Sequence, residues 1–179
     1  MNILTSKTLF LVTCIAVITS CNNGKKSKLA DYGKVVSAVM LKDKGTFRGH
    51  DLGESIDSVK AQELQQPMEV DDNFLYYEYK IDSTASFNIS YNFDEKGLSE
   101  IQSDIFIYED NSGENYFDLF KSYFSSYFGE GENQKGFFVW TVQSEKYGTV
   151  RINLSDESAD FTVDNAPSKI SLWIYPDKN

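Results

Sequence analysis

The segment Phe87-Asn88-Ile89-Ser90-Tyr91-Asn92-Phe93 sets apolar and polar side chains in strict alternation. A period of two commits these residues to a strand with one buried and one wet face. A sheet is therefore required, with another layer covering its apolar side. Further strands are predicted on both sides of this one. Phe74–Ile81 is rich in tyrosine, and Leu98–Tyr108 returns after the turn Asp94-Glu95-Lys96-Gly97, whose glycine supplies a left-handed backbone. Gly136–Gln143, Gly148–Leu154 and Ser168–Tyr175 complete the set, the last two alternating at Val150-Ile152-Leu154 and Ile170-Leu172-Ile174.

Helix signals precede each group of strands. Ser55 is an N-cap for a stripe of Ile56, Val59 and Leu64 that stops before Pro67. Ser112 can cap a second helix, whose Phe117, Phe120, Phe124 and Tyr127 fall at steps of three and four and whose stop is Gly129. Tyr32–Leu41 fits either a short amphipathic helix or an extended lead-in. The expected class is α+β, with helices packed on an antiparallel sheet. The order helix and three strands occurs twice, giving candidate halves 45–110 and 111–179. They would form one sheet of about six strands or two small sheets packed together.

The N-terminus carries a different message. Met1–Lys7 holds one cation and Thr8–Ile18 is apolar, far shorter than the about 20 residues that span a bilayer. Ile18-Thr19-Ser20-Cys21 follows, and it resembles the lipobox of bacterial lipoproteins: an aliphatic residue, two small residues and cysteine. That resemblance implies a signal peptide over 1–20, cleavage before Cys21 and acylation of its sulfur and amine. Two or more acyl chains anchor a protein stably where one does not. Cys14 lies in the leader, so the domain after Cys21 has no thiol for a disulfide. Residues 21–30 read as a polar tether, and 31–179 as one domain held by its core alone.

Charge narrows the partners. The formal net charge is −10, and cleavage removes Lys7 and no acid. Nucleic acid is excluded as a partner class, because phosphate binding needs clustered Lys and Arg and the basic cluster here, Lys25-Lys26-Lys28, sits beside the anchor. Asn22, and no acidic run, follows Cys21. This favours the outer membrane, with the domain facing the periplasm.

Leu52-Gly53-Glu54-Ser55-Ile56-Asp57-Ser58-Val59 and Tyr91-Asn92-Phe93-Asp94-Glu95-Lys96-Gly97-Leu98-Ser99-Glu100-Ile101 resemble the helix and hairpin of small exported domains. These are the domains related to β-lactamase-inhibitor proteins and to the small lipoprotein of the outer-membrane barrel-assembly machinery. The resemblance implies helices on an antiparallel sheet and protein binding or scaffolding. The leader and the Tyr/Phe/Asn-rich remainder also resemble lipoproteins of the Bacteroidetes group.

No catalytic constellation is recognisable. His50 is the one histidine and reads as an exposed loop residue. There is no Gly-rich phosphate loop and no metal or cofactor motif; Asp110-Asn111-Ser112-Gly113-Glu114 lacks the later bidentate Glu of a calcium loop. Asp71-Asp72, Glu109-Asp110 and Glu130-Glu132 read as solvated turn acids. Aromatic residues make up 15% of the chain and fall on both strand faces. If one face covers the core, the other presents Tyr108, Trp140, Trp173 and Tyr175 to a protein or glycan ligand; cover on both faces is the preferred alternative. The function expected is a non-catalytic binding or scaffolding domain on an envelope lipoprotein. A small carboxylate-dependent hydrolase or lyase is the alternative.

Overall fold

A computed structural model describes residues 28–108, 115–158 and 167–177. The lipobox with Cys21, Ser112 and the acidic stretch Glu109–Glu114 lie outside the described residues. The described chain forms three α-helices and one eight-stranded antiparallel sheet. A 3₁₀ turn, Leu29–Tyr32, leads into α1 (Gly33–Met40), so the segment read as helix or lead-in is helical. Then come α2 (Ile56–Gln62), β1 (Glu69–Asp71), β2 (Phe74–Lys80), β3 (Ala85–Asp94) and β4 (Gly97–Ile107). The second run is α3 (Tyr116–Phe128), β5 (Glu132–Gln134), β6 (Phe137–Ser144), β7 (Gly148–Asp156) and β8 (Ser168–Pro176).

The spatial order is β1-β2-β3-β4-β8-β7-β6-β5. Two runs of consecutive hairpins thus meet at the β4–β8 seam, where Ile101 pairs Ile174 and Ile105 pairs Ile170. This corrects the expected strand count, because each helix signal is followed by four strands and not three. The added strands, β1 and β5, are three-residue edges with every residue exposed. Neither contains a buried position, so neither leaves a periodic trace in sequence.

Helix ends follow local chemistry. Ser55 Oγ accepts a hydrogen bond from the Ser58 backbone N–H at 3.2 Å, and Asn115 Oδ1 does the same for Asp118 at 3.1 Å; each satisfies one orphan donor of the first turn. Gly129, at φ 84°, closes α3. Helix α2 ends at Gln62, and Leu64 is exposed beyond it instead of continuing the buried stripe.

The core joins one sheet face to the helices. Ala85, Phe87, Ile89 and Tyr91 from β3, Ile101 and Ile105 from β4, Trp140 from β6, Ile152 from β7 and Ile174 from β8 share one buried cluster with Val36, Val39, Val59, Phe120 and Phe124. Phe124 and Trp140 bring α3 and β6 together with ring centroids 5.3 Å apart. Each fully buried apolar side chain of this size contributes roughly 1.5–3 kcal/mol of hydrophobic free energy.

Candidate functional site

The residues alternating with that core face form a second surface. Across the middle of the sheet the register aligns Tyr76 with Ser90, Ser90 with Gln102, Gln102 with Trp173, and Trp173 with Asn153. Below that row, Asn88 pairs Asp104, Asp104 pairs Ser171 and Ser171 pairs Ser155. Most of these side chains are intermediate or exposed; Asn153 and Ser155 are buried. Among the described residues one face is packed and the other meets solvent, which corrects the expectation that both would be covered.

Trp173 stands at the centre of the open face. It is 39% exposed, and its ring lies 4.4 Å from that of Tyr175 at 38°. Clefts of about 700 Å³ and about 350 Å³ lie on its two sides, and Trp173 lines both. Glu100 and Tyr175 border the larger; Asp104, Asn153 and Lys169 border the smaller. At the far end Tyr108, 52% exposed, shares a hydrogen bond with Ser86 at 2.9 Å and lines a cleft of about 610 Å³.

Many polar groups on this face are paired with one another, although Asn153 Oδ1 is buried without a partner. Lys169 Nζ lies 2.9 Å from Glu157 Oε2 and 3.2 Å from Asp104 Oδ1, while Ser171 Oγ donates to Asp104 at 2.6 Å. Partial burial opposes the Lys169 charge, but Glu157 and Asp104 outweigh it and raise its pKa. Asn92 and Gln102 both donate to Glu100, and Asn153 donates to the Tyr175 hydroxyl at 3.0 Å. Such a lattice holds these side chains in fixed rotamers.

A buried ionic cluster braces the packed side. Phe47 and His50 pair as a bridge around Arg48 and Gly49, whose φ values of 55° and 94° are both left-handed, as tight hairpin turns require. A non-glycine residue held there costs about 1–3 kcal/mol and persists only when its surroundings enforce it. Arg48 is enforced: Nη1 donates to the α1 carbonyls of Ala38 and Val39, and Nε and Nη2 donate to Glu63 at 3.1 and 2.8 Å. Glu63 also accepts from the hydroxyls of Tyr79 at 2.7 Å and Tyr91 at 2.5 Å. Burial alone would raise the Glu63 pKa, but His50, Arg48 and Tyr91 overcome it and hold the carboxyl well below its ordinary range. Burial, with the Glu63 charge beside it, pushes the Tyr91 hydroxyl the other way, well above 10.

His50 is fully buried, which corrects the exposed-loop reading. Its Nδ1 lies 3.2 Å from Glu54 Oε2, and its Nε2 is 3.3 Å from Glu63 Oε1 in a geometry too poor for a hydrogen bond. The partners of Arg48 and His50 come from α1, from Glu54 and Glu63 on either side of α2, and from β2 and β3, so most of the cluster is distant from them in sequence. One signal was available: one of only two arginines stands two residues from the lone histidine. Arg48, His50, Glu63 and Tyr91 form the buried centre of the cluster, while its outer members Tyr79 and Glu54 each border a described cleft.

The four aromatic candidates separate. Tyr108, Trp173 and Tyr175 lie on the open face, whereas Trp140 is 2% exposed and packs between Phe124 and Phe138, with Nε1 donating to the Gly129 carbonyl at 3.2 Å. Trp140 therefore belongs to the core. Asp71, Asp72, Glu130 and Glu132 are all exposed. Among the described residues no group of three or more His, Cys, Asp or Glu side chains is placed to hold a metal ion, and no helix is long and apolar enough to cross a membrane.

No protein-family model matches the chain, and no curated protein or solved structure does either.

Proposed function

We propose that this chain is a bacterial envelope lipoprotein, anchored through acylated Cys21, whose domain binds another envelope protein on its open sheet face without catalysing a reaction. The observation that carries the reading is Trp173: a large aromatic ring left exposed at the middle of a sheet whose opposite face carries the buried core. Central aromatic residues ringed by polar groups are what protein-binding surfaces concentrate. The finer architecture belongs to the same proposal: an α+β domain with the helices covering one face, built as two halves of helix followed by four strands. Outer-membrane attachment with the domain facing the periplasm is proposed on the residues after Cys21.

The hydrolase or lyase alternative needs carboxylates converging in a closed pocket. The one fully buried carboxylate of the cluster, Glu63, is occupied by Arg48, Tyr79 and Tyr91, so the binding reading is the better supported.

The test is site-specific photocrosslinking in cells with the lipidated protein. A photoreactive residue in place of Trp173 is expected to give a discrete adduct with one envelope protein, and one in place of the exposed helix residue Asp57 is not. Absence of an adduct at position 173, or the same adducts at both positions, would overturn the proposal.

A further inference from the structure

We propose that β1 is a second interaction surface, a strand-addition site for an extended protein segment that alternates basic and apolar side chains. β1 is one outer edge of the sheet, paired on one side with β2 through Glu69↔Tyr76, Val70↔Leu75 and Asp71↔Phe74. Its other side has no strand partner among the described residues, so its outward N–H and C=O groups can pair with an incoming strand.

Val70 in this edge and Met68 just before it are 52% and 68% exposed, and Leu64 is 70% exposed nearby in sequence. The opposite edge, β5, carries Glu132, Asn133 and Gln134, with a single exposed apolar side chain, Phe137, on the strand beside it. An edge that needed only protection would resemble β5; exposed apolar side chains beside an open edge mark a contact.

Charge selects the occupant. Alternation places Val70 on the packed side of the sheet with Leu75, and Glu69 and Asp71 on the open side with Tyr76 and Phe74. Glu69, Asp71 and Asp72 are exposed, and no described cation pairs with them. A strand laid alongside must alternate too. Its apolar residues would cover Met68 and Val70, and its intervening residues would stand beside Glu69 and Asp71, where Lys or Arg is attracted and Asp or Glu repelled. A second copy of the chain is disfavoured, since antiparallel pairing of two β1 edges would crowd these acids together.

The experiment uses the full-length protein and a fluorescent synthetic peptide alternating lysine and valine, followed by anisotropy. The peptide is expected to bind about tenfold or more tightly than its glutamate–valine counterpart, and added salt should weaken it. Met68→Lys with Val70→Lys is expected to lower affinity about tenfold or more; both side chains are exposed, and circular dichroism confirms that the variant folds. Trp173→Ala is expected to leave peptide binding unchanged, which separates this site from the open-face reading. Equal binding of the two peptides, or indifference to the double substitution, would overturn the proposal. So would a stable dimer that Val70→Lys dissociates, because it would assign the edge to a second copy.

Discussion

Replacing Glu63 by glutamine should destabilise the domain more than a change of one atom suggests. In the native cluster Oε1 accepts from Arg48 Nε and Tyr91, and Oε2 accepts from Arg48 Nη2 and Tyr79. A glutamine offers one acceptor oxygen and an NH₂ group, so whichever way it turns one Arg48 N–H would face another donor, while the tyrosine hydroxyl on that side would have to rotate and accept instead. The Arg48 and Glu63 side chains are both fully buried, so no solvent takes over. Leaving a buried charge without its partner costs about 3–5 kcal/mol. With roughly 2–4 °C per kcal/mol for a domain of this size, the melting temperature should fall by about 6–20 °C. Thermal and urea unfolding followed by circular dichroism give the number. The sign with pH is also fixed. Because the folded Glu63 pKa lies below its ordinary value of 4.5, the ionised carboxylate stabilises fully above that value and its contribution is lost as pH falls through the folded pKa. The stability gap between native and Glu63→Gln protein should therefore narrow on acidification below 4.5. A drop under about 2 °C, equivalent to less than about 1 kcal/mol, or a gap that widens in acid, would refute the bracing role of the cluster.

The two tryptophans should behave oppositely. Trp140→Ala should cost about 3–5 kcal/mol as a buried aromatic and Trp173→Ala about 1 kcal/mol or less, with acrylamide quenching the Trp173 emission far more than that of Trp140; similar losses from both would contradict the assignment of faces. Gly97→Ala should lower stability by about 1–3 kcal/mol, because φ is 112° and an added Cβ would sit 2.5 Å from the carbonyls of Gly53 and Glu54; denaturant titration decides, and a neutral result would refute the close approach. Cys21→Ser should abolish incorporation of labelled palmitate and release the domain from membranes, and continued labelling would refute the lipid anchor.

Local pattern carried most of the strands and little of the tertiary logic. The alternation at Phe87–Phe93 marked β3 because one face is dry and one wet along its whole length. Ser55 marked a helix start because its cap is satisfied three residues away. Trp140 misled for a physical reason: Phe137-Phe138-Val139-Trp140 is an unbroken apolar run, and without alternation the side of the sheet is undetermined. Pairing with Ile152, itself buried, settles it. Register across the β4–β8 seam joins residues far apart in sequence, so local pattern does not distinguish one sheet from two. The open face was readable in part, since Tyr108, Trp173 and Tyr175 alternate with buried Ile107, Leu172 and Ile174. Nothing local, however, could say which face of the sheet stays open.

The most direct test of the account is hydroxyl-radical footprinting of the open face, comparing purified protein with protein in intact cells. Trp173, Tyr175 and Tyr108 are expected to be oxidised in the purified protein and protected in cells, with Trp140 unmodified in both. Equal oxidation of Trp173 in the two settings would contradict the claim that this face is built to bind.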